Sequence, residues 1–210
     1  MIKAVIFDFD GVIAQTETNK QDHMTAYFRS LGLEVDLKNL YRMAGGTYLD
    51  KEQMLDEIFG NQKKYWGLKA EILDHKTAQS PLMDIRTPGI IETLEKLKKQ
   101  GIRIASGSNS RKERLISSLD ACEVLSYFEH VESGYDLGKR KPDPYVYTFL
   151  IEELGLLPEQ CIIVEDSALG IRAGKQAGAR VIALRDRDGA IDQSEADAII
   201  YNITEILQYI

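Results

Sequence analysis

Five short runs of apolar and β-branched residues, separated for the most part by segments of helical period, limit what this chain can become. They occupy 3–9, 102–106, 161–165, 180–184 and 198–201, and runs this short and this apolar read as strands buried on both faces. The intervening periodicity is helical. Ile90, Ile91, Leu94 and Leu97 form one stripe, closed by Lys98, Lys99 and Gly101; Leu115, Ile116, Leu119 and Cys122 form a second. Val146, Phe149, Leu150 and Leu154 form a third, with Pro144 near its first turn and Gly155 past its end. Cations in a last turn, glycine just beyond it and proline at a helix start are boundary chemistry of this kind. Strand–helix alternation predicts an α/β fold, a doubly wound parallel-sheet (Rossmann-like) core.

One interval breaks the alternation. Between about 16 and 84 only helical patterns occur: Met24, Tyr27, Phe28 and Leu31 before Gly32; Met54, Leu55, Ile58 and Phe59 before Gly60; and a third group from Tyr65 to Leu73. An all-helical insertion after the first strand reads as a cap domain, giving a core of 1–15 and 85–210 and a helical cap of 16–84. At 210 residues the chain has room for such a core and a modest insertion. Its two cysteines, Cys122 and Cys161, lie among apolar neighbours and are expected to be buried thiols of a reducing compartment. The apolar start is too short for a secretion signal and no run reaches a membrane span, so a cytoplasmic protein without membrane contact is expected. A net charge of −7 argues against a nucleic-acid partner.

The strand ends carry the chemistry, because open parallel sheets bind ligands at their carboxyl edge. The first ends in Asp8-Phe9-Asp10-Gly11, whose alternation puts both acids on one side. The second ends in Ser106-Gly107-Ser108-Asn109-Ser110, where Ser110 and Glu113 fit a capping box and exposed N–H groups at a helix start suit an anion. The third ends in Glu165-Asp166-Ser167, before a helix whose Ala168, Gly170, Ala173 and Gly174 permit close approach to the sheet. Four carboxylates in one small site demand a cation, and hard oxygen ligands suit Mg²⁺. Lys141, in Arg140-Lys141-Pro142-Asp143-Pro144, is the basic residue best placed to meet an anionic substrate. His23, His75 and His130 show no ligand spacing, and Lys139 and Arg140 read as solvated loop charges.

Asp8-Phe9-Asp10-Gly11-Val12, Ser106, Lys141-Pro142-Asp143-Pro144 and Glu165-Asp166-Ser167-Ala168-Leu169-Gly170 together resemble the four ordered motifs of the haloacid dehalogenase-like (HAD) superfamily. The resemblance implies a phosphatase acting on a small phosphorylated metabolite, a sugar phosphate or small phospho-acid. It implies Asp8 as nucleophile and Asp10 as acid and base. Ser106, Gly107, Asn109 and Lys141 would bind phosphate, and Asp8, Asp10, Glu165 and Asp166 would hold Mg²⁺. A monomer or weak homodimer is expected. Asp10, two residues after the nucleophile, argues for P–O rather than C–halogen or C–P chemistry. Within the family the rival is a β-phosphoglucomutase-type mutase, which is similar in motifs and cap. Its cap histidine and arginine are replaced here by Lys20 and by the segment from Ala44 to Tyr48, and Gln15 is a further departure from the family pattern. Outside the family, a phosphoacceptor signalling domain shares the acids and lysine but lacks an insertion of this length after the first strand.

Overall fold

The computed structural model describes residues 1–30, 55–57, 82–187, 189 and 191–210. The expected helical faces at 65–73 and the segment 44–48 lie outside the described residues. By compactness the chain divides into Met1–Thr16 with Pro81–Ile210, and Glu17–Ser80. In the second unit the structure describes most of one helix, α1 (Thr16–Ser30, whose first residue belongs to the first unit), and a helical piece at 55–57 with Leu55 fully buried.

The first unit is built on one six-stranded sheet. Its strands are β1 (Ala4–Phe7), β2 (Arg103–Ser108), β3 (His130–Ser133), β4 (Cys161–Glu165), β5 (Arg180–Leu184) and β6 (Ala198–Ile200). The order is β3-β2-β1-β4-β5-β6, and every pairing is parallel. Parallel pairing forces crossovers over the faces, and these are α2 (Ile90–Lys99), α3 (Lys112–Ala121), α4 (Tyr145–Glu153) and α5 (Ala168–Gln176). The pleat divides β1 between two cores. Val5 and Phe7 pack with Leu94 and Leu97 of α2 and Leu115 and Leu119 of α3. Ala4 and Ile6 pack with Val146 and Leu150 of α4 and Ile171 of α5. Both faces are covered, which is why the strands read as continuous apolar runs.

The sheet has one strand more than the five expected. β3 is an edge strand of sequence His-Val-Glu-Ser with three of four residues only partly buried, so it carries no apolar run to betray it. β2 extends two residues beyond the expected end at 106, to Ser108. The expected capping box does not form. Helix α3 starts at Lys112 with Arg111 at its N-cap and no side-chain cap bond; the Lys112 N–H instead donates to Asp136 Oδ2 at 2.6 Å. A carboxylate from a loop 24 residues downstream has taken the place that local sequence assigned to Ser110. Both cysteines are buried free thiols, each pushed up to about 11 by burial. No helix among the described residues is long and apolar enough to cross a membrane.

Leu94 is fully buried between α2 and the sheet. Leu94→Ala should therefore cost about 3 kcal/mol through lost transfer energy and the cavity left behind, read as a lowered midpoint in urea unfolding with an unchanged slope.

Candidate active site

The chain begins its sheet in the middle and winds outward in both directions, so the carboxyl ends of β1 and β4 border the topological switch point. Asp8 follows β1; its N–H continues the ladder to Val164 O at 3.0 Å. Glu165 closes β4, and Asp166 follows it. Asp8, Glu165 and Asp166 each offer an oxygen within 4.8 Å of the others. All three acids are buried, and so is Lys141.

Lys141 supplies the buried positive charge facing this group. Its ammonium donates to Asp8 Oδ1 at 2.7 Å, Glu165 Oε1 at 2.6 Å and the Gly107 carbonyl at 2.8 Å. Three N–H bonds are therefore spent on three acceptors. Burial alone would lower the Lys141 pKa, but the two carboxylates outweigh it and hold the ammonium charged. Asp8 feels the opposite balance. Burial pushes its carboxyl up to about 8 against the pull of Lys141, with Glu165 and Asp10 adding to the rise. Asp166 is raised well above the carboxylate range by burial, then by Glu165 and Asp8. One ammonium does not balance this much negative charge. A hard divalent cation fits the donor set, with oxygens from Asp8 and Asp166 the free ligands.

Glu165 is differently placed. Oε1 accepts from Lys141 and from the Tyr147 hydroxyl, the latter at 2.6 Å. Oε2 accepts from Asp166 N, Ser167 N and Ser167 Oγ. Five donors thus converge on Glu165, which also stands with Asp8 and Asp166 in the acidic group expected to hold a metal. Ser167 also caps α5, accepting from Gly170 N at 3.0 Å. Gly170 is a glycine for the carboxylate's sake and not for helix–sheet approach, since a Cβ there would lie 1.8 Å from Glu165 Oε1. Gly174 does serve the sheet, with Val181 2.7 Å from its missing Cβ. Gly11 repeats the first device. Its φ of +78° favours glycine, and a Cβ would meet Asp166 Oδ2 at 1.8 Å.

The remaining expected residues divide. Asp10 accepts from Thr16 Oγ1 at 2.6 Å and from Ser110 Oγ at 3.4 Å; sequence reasoning did not single out Thr16 and gave Ser110 only a capping role. Ser106 pairs with Phe7, and its hydroxyl is fully buried with no hydrogen-bond partner among the described residues. Ser108, at the true end of β2, is the serine at the sheet's edge, and its Oγ accepts Ser110 N at 3.1 Å. Asn109 holds Lys141 by its backbone, Oδ1 accepting Lys141 N at 2.8 Å and Nδ2 donating to Lys141 O at 3.3 Å. Gly107 contributes its carbonyl. Lys139 and Arg140 stack over the rings of Tyr145 and Tyr135. Gln193, also unforeseen, ties the Asp166 carbonyl to that of Leu184.

Gly170→Ala should crowd Glu165 out of its position. Overpacking of this kind costs about 1–3 kcal/mol, and a crystal structure of the variant should show the Glu165–Lys141 pair broken.

Comparison with known proteins agrees with this geometry. The family model for haloacid dehalogenase-like hydrolases matches residues 5–184. Protein CbbY of Rhodobacter capsulatus is 30% identical over 86% of this chain and 84% of its own length. A phosphoglycolate phosphatase of Nitrosospira multiformis is 29% identical over 99% and 96%. Among solved structures, a HAD family hydrolase from Deinococcus radiodurans with bound phosphate and sodium superposes with a TM-score of 0.79 at 27% identity, covering 98% of this chain and 93% of that one. With the matched span enclosing every acid of the site and Lys141, the chain belongs to the haloacid dehalogenase-like hydrolase family.

Proposed function

We propose that the protein is a Mg²⁺-dependent phosphatase of a small phosphorylated metabolite, working through an aspartyl-phosphate on Asp8. The observation that carries this reading is the meeting of Asp8, Glu165 and Asp166 with one buried ammonium at the switch point. Relatives named as phosphoglycolate and phosphorylated-carbohydrate phosphatases support the substrate class, as does the phosphate in the Deinococcus radiodurans structure.

Asp8 offers a carboxylate oxygen to phosphorus, splitting one displacement into two easier ones. Lys141 must then exchange one of its three acceptors for a phosphoryl oxygen, joined by the Ser108 hydroxyl and N–H groups of the loop at Asn109. Ser106, whose buried hydroxyl has no partner among the described residues, is the second serine on the same face of β2 available for this role. Asp10 protonates the leaving oxygen and later accepts a proton from water, its carboxylate steered by Thr16 and Ser110. Asp8, Asp166 and the Asp10 carbonyl would hold Mg²⁺, which when bound neutralises charge on the transferring group. Glu165 orients Lys141. The insertion 16–84 is a helical cap domain in this reading.

Phosphate release from a panel of phosphorylated sugars and phospho-acids tests the function. Activity should vanish in excess chelator and return with Mg²⁺. Interconversion of sugar phosphates without free phosphate would replace the hydrolase with a mutase. Asp8→Asn preserves shape while removing the attacking oxyanion, so turnover should fall about a thousandfold or more with the fold intact by circular dichroism. Near-normal turnover of that variant would remove Asp8 from the mechanism.

A further inference from the structure

Tyr147 is the largest fully buried side chain of the described residues and has no part in the chemistry just described. It sits two residues into α4, with its ring 4.7 Å from the Lys141 ammonium and its hydroxyl 2.6 Å from Glu165 Oε1. That oxygen is the one Lys141 uses. On its other side the ring packs close to β2: a Cβ at Gly107 would lie 3.3 Å from Tyr147 Cε1 and 2.9 Å from Leu150 Cδ1. The ring is held in place by packing, so its hydroxyl has a fixed address.

We infer that Tyr147 is a positioning residue that decides which of its three acceptors Lys141 releases to substrate. The inference rests on the phosphatase reading. An ammonium with three N–H bonds already made can bind a phosphoryl oxygen only by giving one up. The Gly107 carbonyl belongs to a central strand and does not turn. Glu165 is pinned through Oε2 by Asp166 N and the Ser167 N–H and hydroxyl, and through Oε1 by Tyr147. Asp8 is the acceptor left to yield. Its release from Lys141 frees Oδ1 at the moment a phosphoryl group arrives to take the ammonium. Without the phenol, Oε1 loses a charge-assisted partner. Glu165 can then swing, and Lys141 swings with it, leaving the ammonium misdirected while Asp8 and Asp166 stay in place.

Tyr147→Phe keeps the ring and removes only the hydroxyl. With p-nitrophenyl phosphate as probe, kcat should fall about tenfold, as for loss of an orienting hydrogen bond behind a reacting group. KM should stay within about twofold, because the ammonium is mispositioned for transfer more than for ground-state binding. The Mg²⁺ dissociation constant, measured by calorimetry on the same protein without substrate, should equal the wild type's or lie below it, since a carboxylate lone pair is released. Leu150→Ala provides the packing control, lowering the melting temperature while leaving kcat within about twofold if the hydroxyl and not the packing is responsible. An unchanged kcat in Tyr147→Phe, a loss matched by weaker Mg²⁺ binding, or an equal loss in Leu150→Ala would each overturn the inference. Absence of Mg²⁺-dependent phosphate release from the wild-type protein would instead overturn the phosphatase reading, with the Mg²⁺ titration still reporting on Tyr147.

Discussion

The site is organised by a shortage of positive charge. Asp8, Glu165 and Asp166 lie within reach of one another, buried, and among the described residues Lys141 is the ammonium paired with them. Carboxylates taken out of water repel one another and tend toward protonation; Asp8 and Asp166 do so here. Several groups nearby hold the Lys141 ammonium in place. Asn109 grips the Lys141 main chain from the residue after β2, Gly107 gives up its carbonyl, and α4 lays an aromatic ring against the ammonium. These supports come from distant parts of the chain and meet because a parallel sheet collects its strand ends on one edge.

Glu165 shows how the same charge can be put to different use. A carboxylate is an acceptor of several hydrogen bonds before it is a metal ligand. Here the backbone N–H groups of Asp166 and Ser167 ahead of α5, the Ser167 hydroxyl and the Tyr147 hydroxyl, with the Lys141 ammonium, converge on its oxygens. Asp166, one residue later, is tethered through its carbonyl by Gln193, and its carboxylate lies in the space left by the bare α-carbon of Gly11. Two adjacent acids thus receive separate environments from a single turn of backbone.

Much of this was legible in the chain. Buried parallel strands announce themselves as apolar runs, and acids placed at the ends of such runs have nowhere to go but the sheet's edge. What escaped reading has physical reasons. β3 is an edge strand and needs few apolar residues. β2 runs two residues past the apolar run that marks it, so Ser106 and Ser108, which share one face of the strand, are both buried and Ser108 alone stands at its carboxyl end. Tyr147 was lost because the stripe through Val146, Phe149, Leu150 and Leu154 accounts for α4 without it, although 147, 150, 151 and 154 form an equally good one, all buried. The cap of α3 comes from Asp136, a partner that no local rule can find.

The two glycines that border the acids have a bearing on how such a pocket can change. Glu165 and Asp166 occupy the volumes that side chains at 170 and 11 would fill. The pocket is thus a casting, and positions 11 and 170 are its mould. Drift among the acids can alter charge one group at a time, while drift at either glycine displaces a carboxylate whole. A side chain at either position therefore forces the neighbouring carboxylate to shift.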